Sequence, residues 1–220
     1  MQSSGHHYFR YFANPGAGLK YVNREMAPKL LLASQSPRRR ELLKQIGVKF
    51  SVSIQNIDES HRIDERPCDL VVRLAEQKAT ACLQKAGDVN TVIIASDTIV
   101  VLEEEVFGKP EGKFDAIRML LRLSQSTHRV LTAVSVKCYG KSKTLCSETV
   151  VTFRAITAEE AEYYWETGEP RGKAGAYAIQ GLGAIFIQSI SGSYSGVMGL
   201  PLFETAELLR EFGIDTWQKF

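Results

Sequence analysis

The stretch TVIIASDTIVVL, residues 91–102, places the strongest constraint on the fold of this chain. Its run of aliphatic and β-branched residues predicts a buried strand, yet Asp97 lies in the middle of it. An ionised carboxylate buried without partners is costly, or its pKa rises. Asp97 is therefore either a structural acid that caps a helix or pairs with an arginine, or a metal ligand or general base. The second alternative suits the end of a strand, where open α/β sheets place their sites.

Predicted strands and helices alternate along the rest of the chain. Apolar or alternating segments predict the strands, and capping residues and helical periodicity predict the helices. The predicted strands are 29–34, 49–55, 91–102, 128–136 and 145–156, the last two forming a hairpin around the turn GKSK. The predicted helices are 36–46 before Gly47, one capped by Asp69 and running to Gly87, 113–124, one opened by the capping box of Thr157 and Glu160, and one from Pro201. Alternation together with a hairpin indicates an α/β fold with a mixed sheet.

Composition excludes several classes of protein. The 220 residues carry 27 basic and 25 acidic side chains, a net charge of +2, which argues against a nucleic-acid binder that works through bulk positive charge. No secretory signal is visible, and residues 174–203, although uncharged, contain too many glycines for a membrane helix. The four cysteines lack C-x-x-C spacing, so neither a zinc knuckle nor a disulfide scaffold is predicted, and a cytoplasmic protein with reduced thiols is expected. Residues 1–28 differ from the rest and are predicted to be a flexible N-terminal extension before one domain at 29–220.

The segment SPRRR, residues 36–40, predicts an anion site. Ser36 and Pro37 are suited to the N-cap and first position of a helix, whose free N–H groups and dipole attract anions. Three arginines in that first turn are disfavoured by the dipole. They are either solvated surface residues or residues that grip an anion such as a phosphate chain, which matches the guanidinium fork.

Further charged residues point to a metal-bound polyphosphate. Lys78 lies on the apolar stripe of its predicted helix, where it either extends to water or faces a site. Asp58 and Glu59 offer carboxylates from a loop, and Lys109 follows the strand of Asp97. Carboxylate oxygens shared with phosphates are what Mg²⁺ or Mn²⁺ prefers.

A glycine-rich stretch follows, with eight of the chain's 17 glycines between positions 168 and 199. It is either a connection rich in turns or a segment whose backbone approaches a ligand closely. In the second case the uncharged Gln180 could read the edge of a base. Neither a Walker loop nor a G-x-G-x-x-G motif after a strand is present.

The ordered set of motifs resembles one family. ASQSPRRRELL, NIDES, RLAEQKA, ASDTIVV, GKP, THRVLTAVSV, GEPRGKAGAYAIQGLGA and GSYSGVMGLP are similar to the Maf family of nucleoside triphosphate pyrophosphatases, over about residues 29–213, and within it to the subgroup acting on dTTP and UTP. The resemblance implies a mixed, twisted central sheet flanked by helices, with two lobes around a deep substrate cleft. It also implies a homodimer that hydrolyses nucleoside triphosphates to monophosphate and pyrophosphate with a divalent metal.

The resemblance also assigns roles. It implies that Asp97 is the proton acceptor, that Lys78, Lys109 and Glu59 belong to the catalytic set, and that Asp97 and Glu59 hold Mg²⁺ or Mn²⁺. The residues implied in substrate binding are Ser34, Arg38, Arg39, Thr98 and Gln180, of which Arg38, Thr98 and Gln180 are tied to base choice.

Two departures from the family pattern are small. Ala95-Ser96 stands where Gly-Ala is frequent, and Ala178 stands where glycine is frequent. Two alternative functions remain open: a pyrophosphatase for a modified purine or methylated nucleotide, and a non-catalytic nucleotide sensor that regulates cell division through a partner.

Overall fold

The computed structural model describes residues 28–218, so residues 1–27 of the predicted extension lie outside the described part. The strands are β1 (Lys29–Leu32), β2 (Ser51–Val52), β3 (Thr91–Leu102), β4 (Glu105–Phe107), β5 (Thr127–Cys138), β6 (Lys141–Phe153) and β7 (Ile187–Ser191). The helices are α1 (Pro37–Gln45), α2 (Pro67–Ala86), α3 (Lys113–Leu123), α4 (Ala158–Glu166), α5 (Tyr194–Met198) and α6 (Leu202–Glu211). Short 3₁₀ turns occupy Ala174–Ala176 and Leu182–Phe186.

The seven strands form one mixed sheet in the order β2-β1-β3-β5-β6-β7, with β4 paired to β3. β1 is parallel to both β2 and β3, whereas the β3–β5, β5–β6, β6–β7 and β3–β4 pairs are antiparallel. Helices pack on this sheet through buried clusters of apolar residues. The prediction of an α/β fold with a mixed central sheet flanked by helices is confirmed.

Along one edge, β3 pairs first with β1 and then with β4, and Asp97 lies between the two pairings. The last pair with β1 joins Leu32 to Ile94, and the first pair with β4 joins Val100 to Phe107. Residues 95–99 consequently have a described strand neighbour only on the β5 side. The sheet is therefore open on one edge beside Asp97, which leaves room for a ligand.

The two faces of β3 are covered by different helices. Successive side chains of a strand point to opposite faces, so Ile99 and Val101 share the face of Asp97. That face packs against α2 through Leu70 and Leu74. The other face carries Val92 and Ile94, which pack in a cluster with residues of α1 and α6, and it also carries Ser96 and Thr98.

Helix starts follow the predicted capping chemistry in two of three cases. The Ser36 hydroxyl accepts a hydrogen bond from the Arg39 N–H, and Thr157 and Glu160 form a complete capping box. The prediction that Asp69 caps α2 is wrong. The helix begins at Pro67, whose ring suits the first position, and Asp69 lies in the first turn, where it pairs with Arg66 at 2.7 Å.

Two strand predictions also need correction. Only Ser51–Val52 of the segment 49–55 forms a strand, because its parallel partner β1 offers it just Leu31 and Leu32. The hairpin turn is shorter than GKSK: β5 and β6 pair as far as Cys138 and Lys141. The two residues that remain between them include Gly140, whose φ of +78° fits a tight hairpin turn.

The glycine-rich stretch contains two elements that the sequence did not predict, β7 and α5. β7 pairs with β6 at the edge of the sheet, and α5 ends at Gly199. Within residues 28–218 no helix is long and apolar enough to cross a bilayer.

Candidate active site

A cavity of about 320 Å³ lies beside the open edge of β3, and it brings together most of the predicted site residues. The predicted residues that line it are Arg38, Arg39, Glu59, Lys78, Asp97, Thr98, Lys109 and Gln180. The remaining one, Ser34, lines an adjoining cavity of about 400 Å³ together with Arg39, Glu59, Lys78 and Lys109. Arg38 and Gln180, which are 142 positions apart in the chain, thus line the same cavity.

Lys78 joins the two predicted acids. Its Nζ lies 2.5 Å from Asp97 Oδ1 and 2.6 Å from Glu59 Oε1. Lys109 Nζ approaches the other oxygen of Glu59 at 3.6 Å. Lys78 and Asp97 are both buried, at 9% and 8% exposure, so this ion pair is shielded from solvent screening.

The position of Lys78 follows from helix periodicity. It lies four residues from Leu74 and from Cys82, both buried, so all three share the face of α2 that packs on the sheet. Asp97 points to that same face of β3. The sequence left open whether Lys78 extends to water, and the structure places it in the buried ion pair.

The neighbouring lysines shift the pKa of Glu59. Desolvation works to raise the pKa of Glu59, but the hydrogen bond and charge of Lys78, supported by Lys109, outweigh it and hold the pKa below its usual value. Glu59 is therefore ionised at neutral pH. The oxygens of Glu59 and Asp97 are of the donor type that Mg²⁺ and Mn²⁺ prefer.

The three arginines of α1 point in different directions. Arg38 and Arg39 line the cavity, whereas Arg40 Nη2 donates to the Gln35 carbonyl at 2.8 Å. Arg39 donates from Nε to the Gly199 carbonyl at 2.8 Å, from Nη2 to Thr98 Oγ1 at 3.1 Å and from Nη1 to Ser34 Oγ at 3.3 Å. The alternative that these arginines are only solvated surface residues does not fit Arg38 and Arg39.

The opposite end of the cavity is built from the irregular chain between α4 and β7. Lys173, Tyr177, Ala178 and Gln180 line it there. Burial, followed by the charge of Arg38, lowers the pKa of Lys173, which indicates that the two cations lie near each other. This end of the cavity therefore holds two cations, Arg38 and Lys173, and the charge of Glu169 acts on both of them.

Glu169 anchors this irregular chain. Its carboxylate accepts hydrogen bonds from Tyr164 Oη at 2.7 Å and from the N–H groups of Leu182 and Gly183 at 3.0 Å each. A Cβ at Gly181 would lie 2.1 Å from Glu169 Oε2, so a side chain at this position would displace the carboxylate. The glycine here permits a close approach of backbone to an internal carboxylate, which then holds the loop that carries Gln180.

A buried histidine, His128, packs behind the end of the cavity that Tyr177 lines. His128 Nε2 lies 2.9 Å from Tyr177 Oη, and both rings pack edge-on against Phe153. Desolvation lowers the pKa of His128 to about 4, so the ring is neutral at physiological pH. Tyr177 reaches the cavity from this aromatic cluster.

Lys173 and Tyr177 are cavity residues that the sequence did not single out. The available signal was position: Lys173 is the last charged residue before the uncharged stretch 174–203. Its closeness to Arg38, 135 positions earlier, depends on the tertiary fold and has no local pattern.

Comparison with known proteins agrees with this geometry. The model of the Maf-like protein family matches residues 29–212, so the chain belongs to this family. A protein of Saccharophagus degradans named dTTP/UTP pyrophosphatase is 50% identical over 191 residues, covering 86% of this chain and 91% of the relative. Proteins with the same name from Pseudoalteromonas atlantica and Vibrio cholerae are 50% and 48% identical, each covering 84% of this chain and 97% and 98% of the relative.

Proposed function

We propose that the protein hydrolyses nucleoside triphosphates, with dTTP and UTP as its substrates, to the monophosphate and pyrophosphate. The observation that carries this proposal is the buried Lys78, which joins Asp97 and Glu59 at 2.5 and 2.6 Å beside Arg39 and Lys109. Acids and cations in one cavity match a polyphosphate and the water that attacks it. The names of the three relatives support the choice of substrate.

Asp97 is the proton acceptor in this proposal. Its carboxylate lines the cavity, and Lys78 holds one oxygen, which fixes the orientation of the other. That oxygen orients a water for in-line attack on the α-phosphorus and takes its proton. Arg39, Lys78 and Lys109 neutralise the charge that develops on the departing pyrophosphate, and such electrostatic positioning supplies most of the catalysis in phosphoryl transfer.

Glu59 and Asp97 would hold the divalent metal, Mg²⁺ or Mn²⁺. Their oxygens already converge on a single cation, the Lys78 ammonium, and one or two carboxylates completed by phosphate oxygens form a usual magnesium site. The described residues contain no cluster of three or more metal-ligating side chains, so the remaining ligands would come from substrate and water. When bound, the metal supplies Lewis-acid charge neutralisation.

Base selection belongs to the other end of the cavity. Arg38 and Gln180 line it there, and together they offer fixed donors and an amide that can both donate and accept. A pyrimidine with two carbonyls and one N–H is complementary to this set. Thr98, the third residue tied to base choice by the resemblance, has its hydroxyl engaged by Arg39.

The experiment is a measurement of pyrophosphate release from a panel of ribo- and deoxyribonucleoside triphosphates, methylated and inosine nucleotides included, with Mg²⁺ or Mn²⁺. Asp97→Asn is the test variant. Asp69→Asn is the matched control, since Asp69 is exposed on α2 and pairs with Arg66 outside the cavity. We expect release from dTTP and UTP above the others, lost in Asp97→Asn and kept in Asp69→Asn.

Each contrary result has a distinct meaning. Faster turnover of a modified purine would retain the mechanism and replace the substrate. Binding of nucleotides without pyrophosphate release, under every metal tested, would contradict the enzymatic proposal and favour the nucleotide sensor.

We further propose that the protein is a cytoplasmic homodimer. This rests on the family to which the chain belongs and on no contact within residues 28–218. Light scattering coupled to size-exclusion chromatography would give twice the mass of 24.5 kDa for a dimer, and the mass of one chain would contradict it.

A further inference from the structure

Most of the N–H donors of Arg39 are used in hydrogen bonds within the protein. A guanidinium has five N–H groups. Three of these N–H groups donate hydrogen bonds to acceptors among the described residues. The acceptors are the Gly199 carbonyl, the Thr98 hydroxyl and the Ser34 hydroxyl. One N–H on each terminal nitrogen remains, and two such groups can bind phosphate oxygens in a bidentate manner. The direction of that pair depends on the acceptors behind it.

Two of those acceptors are themselves fixed by hydroxyl groups of the sheet. Ser96 Oγ donates to the Gly199 carbonyl at 2.8 Å, the same carbonyl that receives Arg39 Nε. Thr132 Oγ1 lies 3.1 Å from Thr98 Oγ1 and donates to the Gly196 carbonyl at 2.8 Å. We call Ser96, Thr98, Thr132 and the carbonyls of Gly196 and Gly199 the arginine bracket.

The bracket follows from strand geometry. Ser96 and Thr98 are two residues apart on β3 and share its face away from α2. Thr132 is the register partner of Thr98 on β5, so its side chain lies beside that of Thr98. Ser96 and Thr132 are removed from solvent, at 0% and 1% exposure, and Thr98 is half-buried where it lines the cavity.

The other half of the bracket is a backbone feature. Gly199 ends α5 with φ +115°, a conformation that residues with a side chain rarely adopt. A Cβ there would lie 3.3 Å from Arg39 Nε and 3.5 Å from Thr98 Oγ1. The glycine thus lets its carbonyl and the guanidinium meet directly.

We propose that Ser96 and Thr132 are positioning residues that act through Arg39, Ser96 by fixing the Gly199 carbonyl and Thr132 by fixing the Thr98 hydroxyl. The proposal rests on the proposed function, in which Arg39 grips the phosphates. A long arginine side chain loses much conformational freedom when held, so acceptors fixed in advance lower the cost of binding phosphate.

The first test compares Thr132→Val with Thr132→Ser. Valine keeps the shape and removes the hydroxyl, whereas serine keeps the hydroxyl. We expect Thr132→Val to weaken the binding of inorganic tripolyphosphate, measured by calorimetry, by about 10-fold, near the upper end of the effect of losing one neutral hydrogen bond. Thr132→Ser should bind within about 2-fold of the wild type, because serine keeps the hydroxyl and its hydrogen bonds.

Ser135→Ala is the matched control for the loss of a buried hydroxyl. Ser135 is also fully buried on β5, but its register partner is Ala95, so its side chain lies on the α2 face, where it accepts a hydrogen bond from Thr144. It should change the melting temperature without changing tripolyphosphate affinity. If Ser135→Ala and Thr132→Val weaken binding equally, the effect is general loosening of the core and the inference is overturned.

A double-mutant cycle with Arg39→Ala gives the decisive readout. If Thr132 acts through Arg39, Thr132→Val should weaken tripolyphosphate binding in the wild-type background and have almost no effect in the Arg39→Ala background. Equal factors in the two backgrounds would overturn the inference, and so would a wild type that does not bind tripolyphosphate. Because tripolyphosphate contains no base and needs no turnover, a positive cycle stands even if nucleotide hydrolysis, and with it the proposed function, fails.

Discussion

The two ends of the cavity are built in different ways. The end around Lys78, Asp97 and Glu59 takes its first two residues from α2 and β3, both long regular elements. The end around Lys173 and Gln180 is formed by an irregular chain that Glu169 anchors from within. Regular elements hold groups with the precision that chemistry needs, and an irregular loop allows its contacts to vary with the substrate. We therefore expect variants at the two ends to fail differently.

The largest effect is expected at the end of Asp97. Asp97→Asn should lower kcat by about 1,000-fold, within the range for loss of a general base. Affinity for a non-hydrolysable dTTP analogue, measured without added metal, should hold or improve, because the variant removes a negative charge near the phosphates. Single-turnover kinetics and calorimetry measure the two quantities. A parallel loss of binding and rate would show that Asp97 serves mainly to hold the substrate.

Lys78→Met tests stability at the same end. It leaves the carboxylates of Asp97 and Glu59 facing each other without their shared cation, and we expect the free energy of unfolding to fall by about 3 kcal/mol at pH 8. Like charges raise the folded-state pKa of one carboxyl, so the loss should shrink as the pH falls and that group takes up a proton.

Lys109→Met is the control for that variant. The Lys109 side chain is 64% exposed and lies 3.6 Å from Glu59, so its removal should cost less than about 1 kcal/mol in urea denaturation. Equal losses for the two variants would contradict the buried bridge.

A smaller effect, on the pH dependence of stability, is expected at His128, which packs against Tyr177 behind the loop end of the cavity. Burial holds the pKa of His128 at about 4 against 6.5 for the free side chain. Between these values the unfolded chain binds the proton and the folded chain does not, so stability falls as the pH drops through this window. From pH 7 to pH 5 the wild type should lose about 2 kcal/mol more than His128→Phe does. Equal slopes in urea titrations of the two proteins would contradict the buried neutral histidine.

The smallest effect is expected at Gln180. Gln180→Leu should change the ratio of kcat/KM between dTTP and a purine triphosphate by about 10-fold, the value of one hydrogen bond in discrimination. Turnover of the preferred substrate at saturation should stay close to the wild type, because the Lys78 end is untouched. A general fall in kcat with unchanged base preference would show that Gln180 belongs to the chemistry.

The same contrast explains what the sequence could predict. Helix periodicity could place Lys78 on the inward face of α2, whereas its pairing with Asp97 and Glu59 is seen only in the structure. The predictions that Asp69 caps α2 and that residues 49–55 form one strand were wrong. A proline sets the start of α2, and β1 offers β2 only two pairing partners. Lys173, Thr132 and Gly199 acquire their significance only from contacts across the fold, which no local pattern encodes.

Hydrolysis in ¹⁸O-labelled water tests most directly the central claim, that the Lys78 end directs water to the α-phosphorus. Mass spectrometry of the products reveals which phosphorus was attacked. The account predicts that the label enters the nucleoside monophosphate and that pyrophosphate stays unlabelled. Label in the pyrophosphate would show attack at the β-phosphorus, and would contradict the placement of Asp97 against the α-phosphorus.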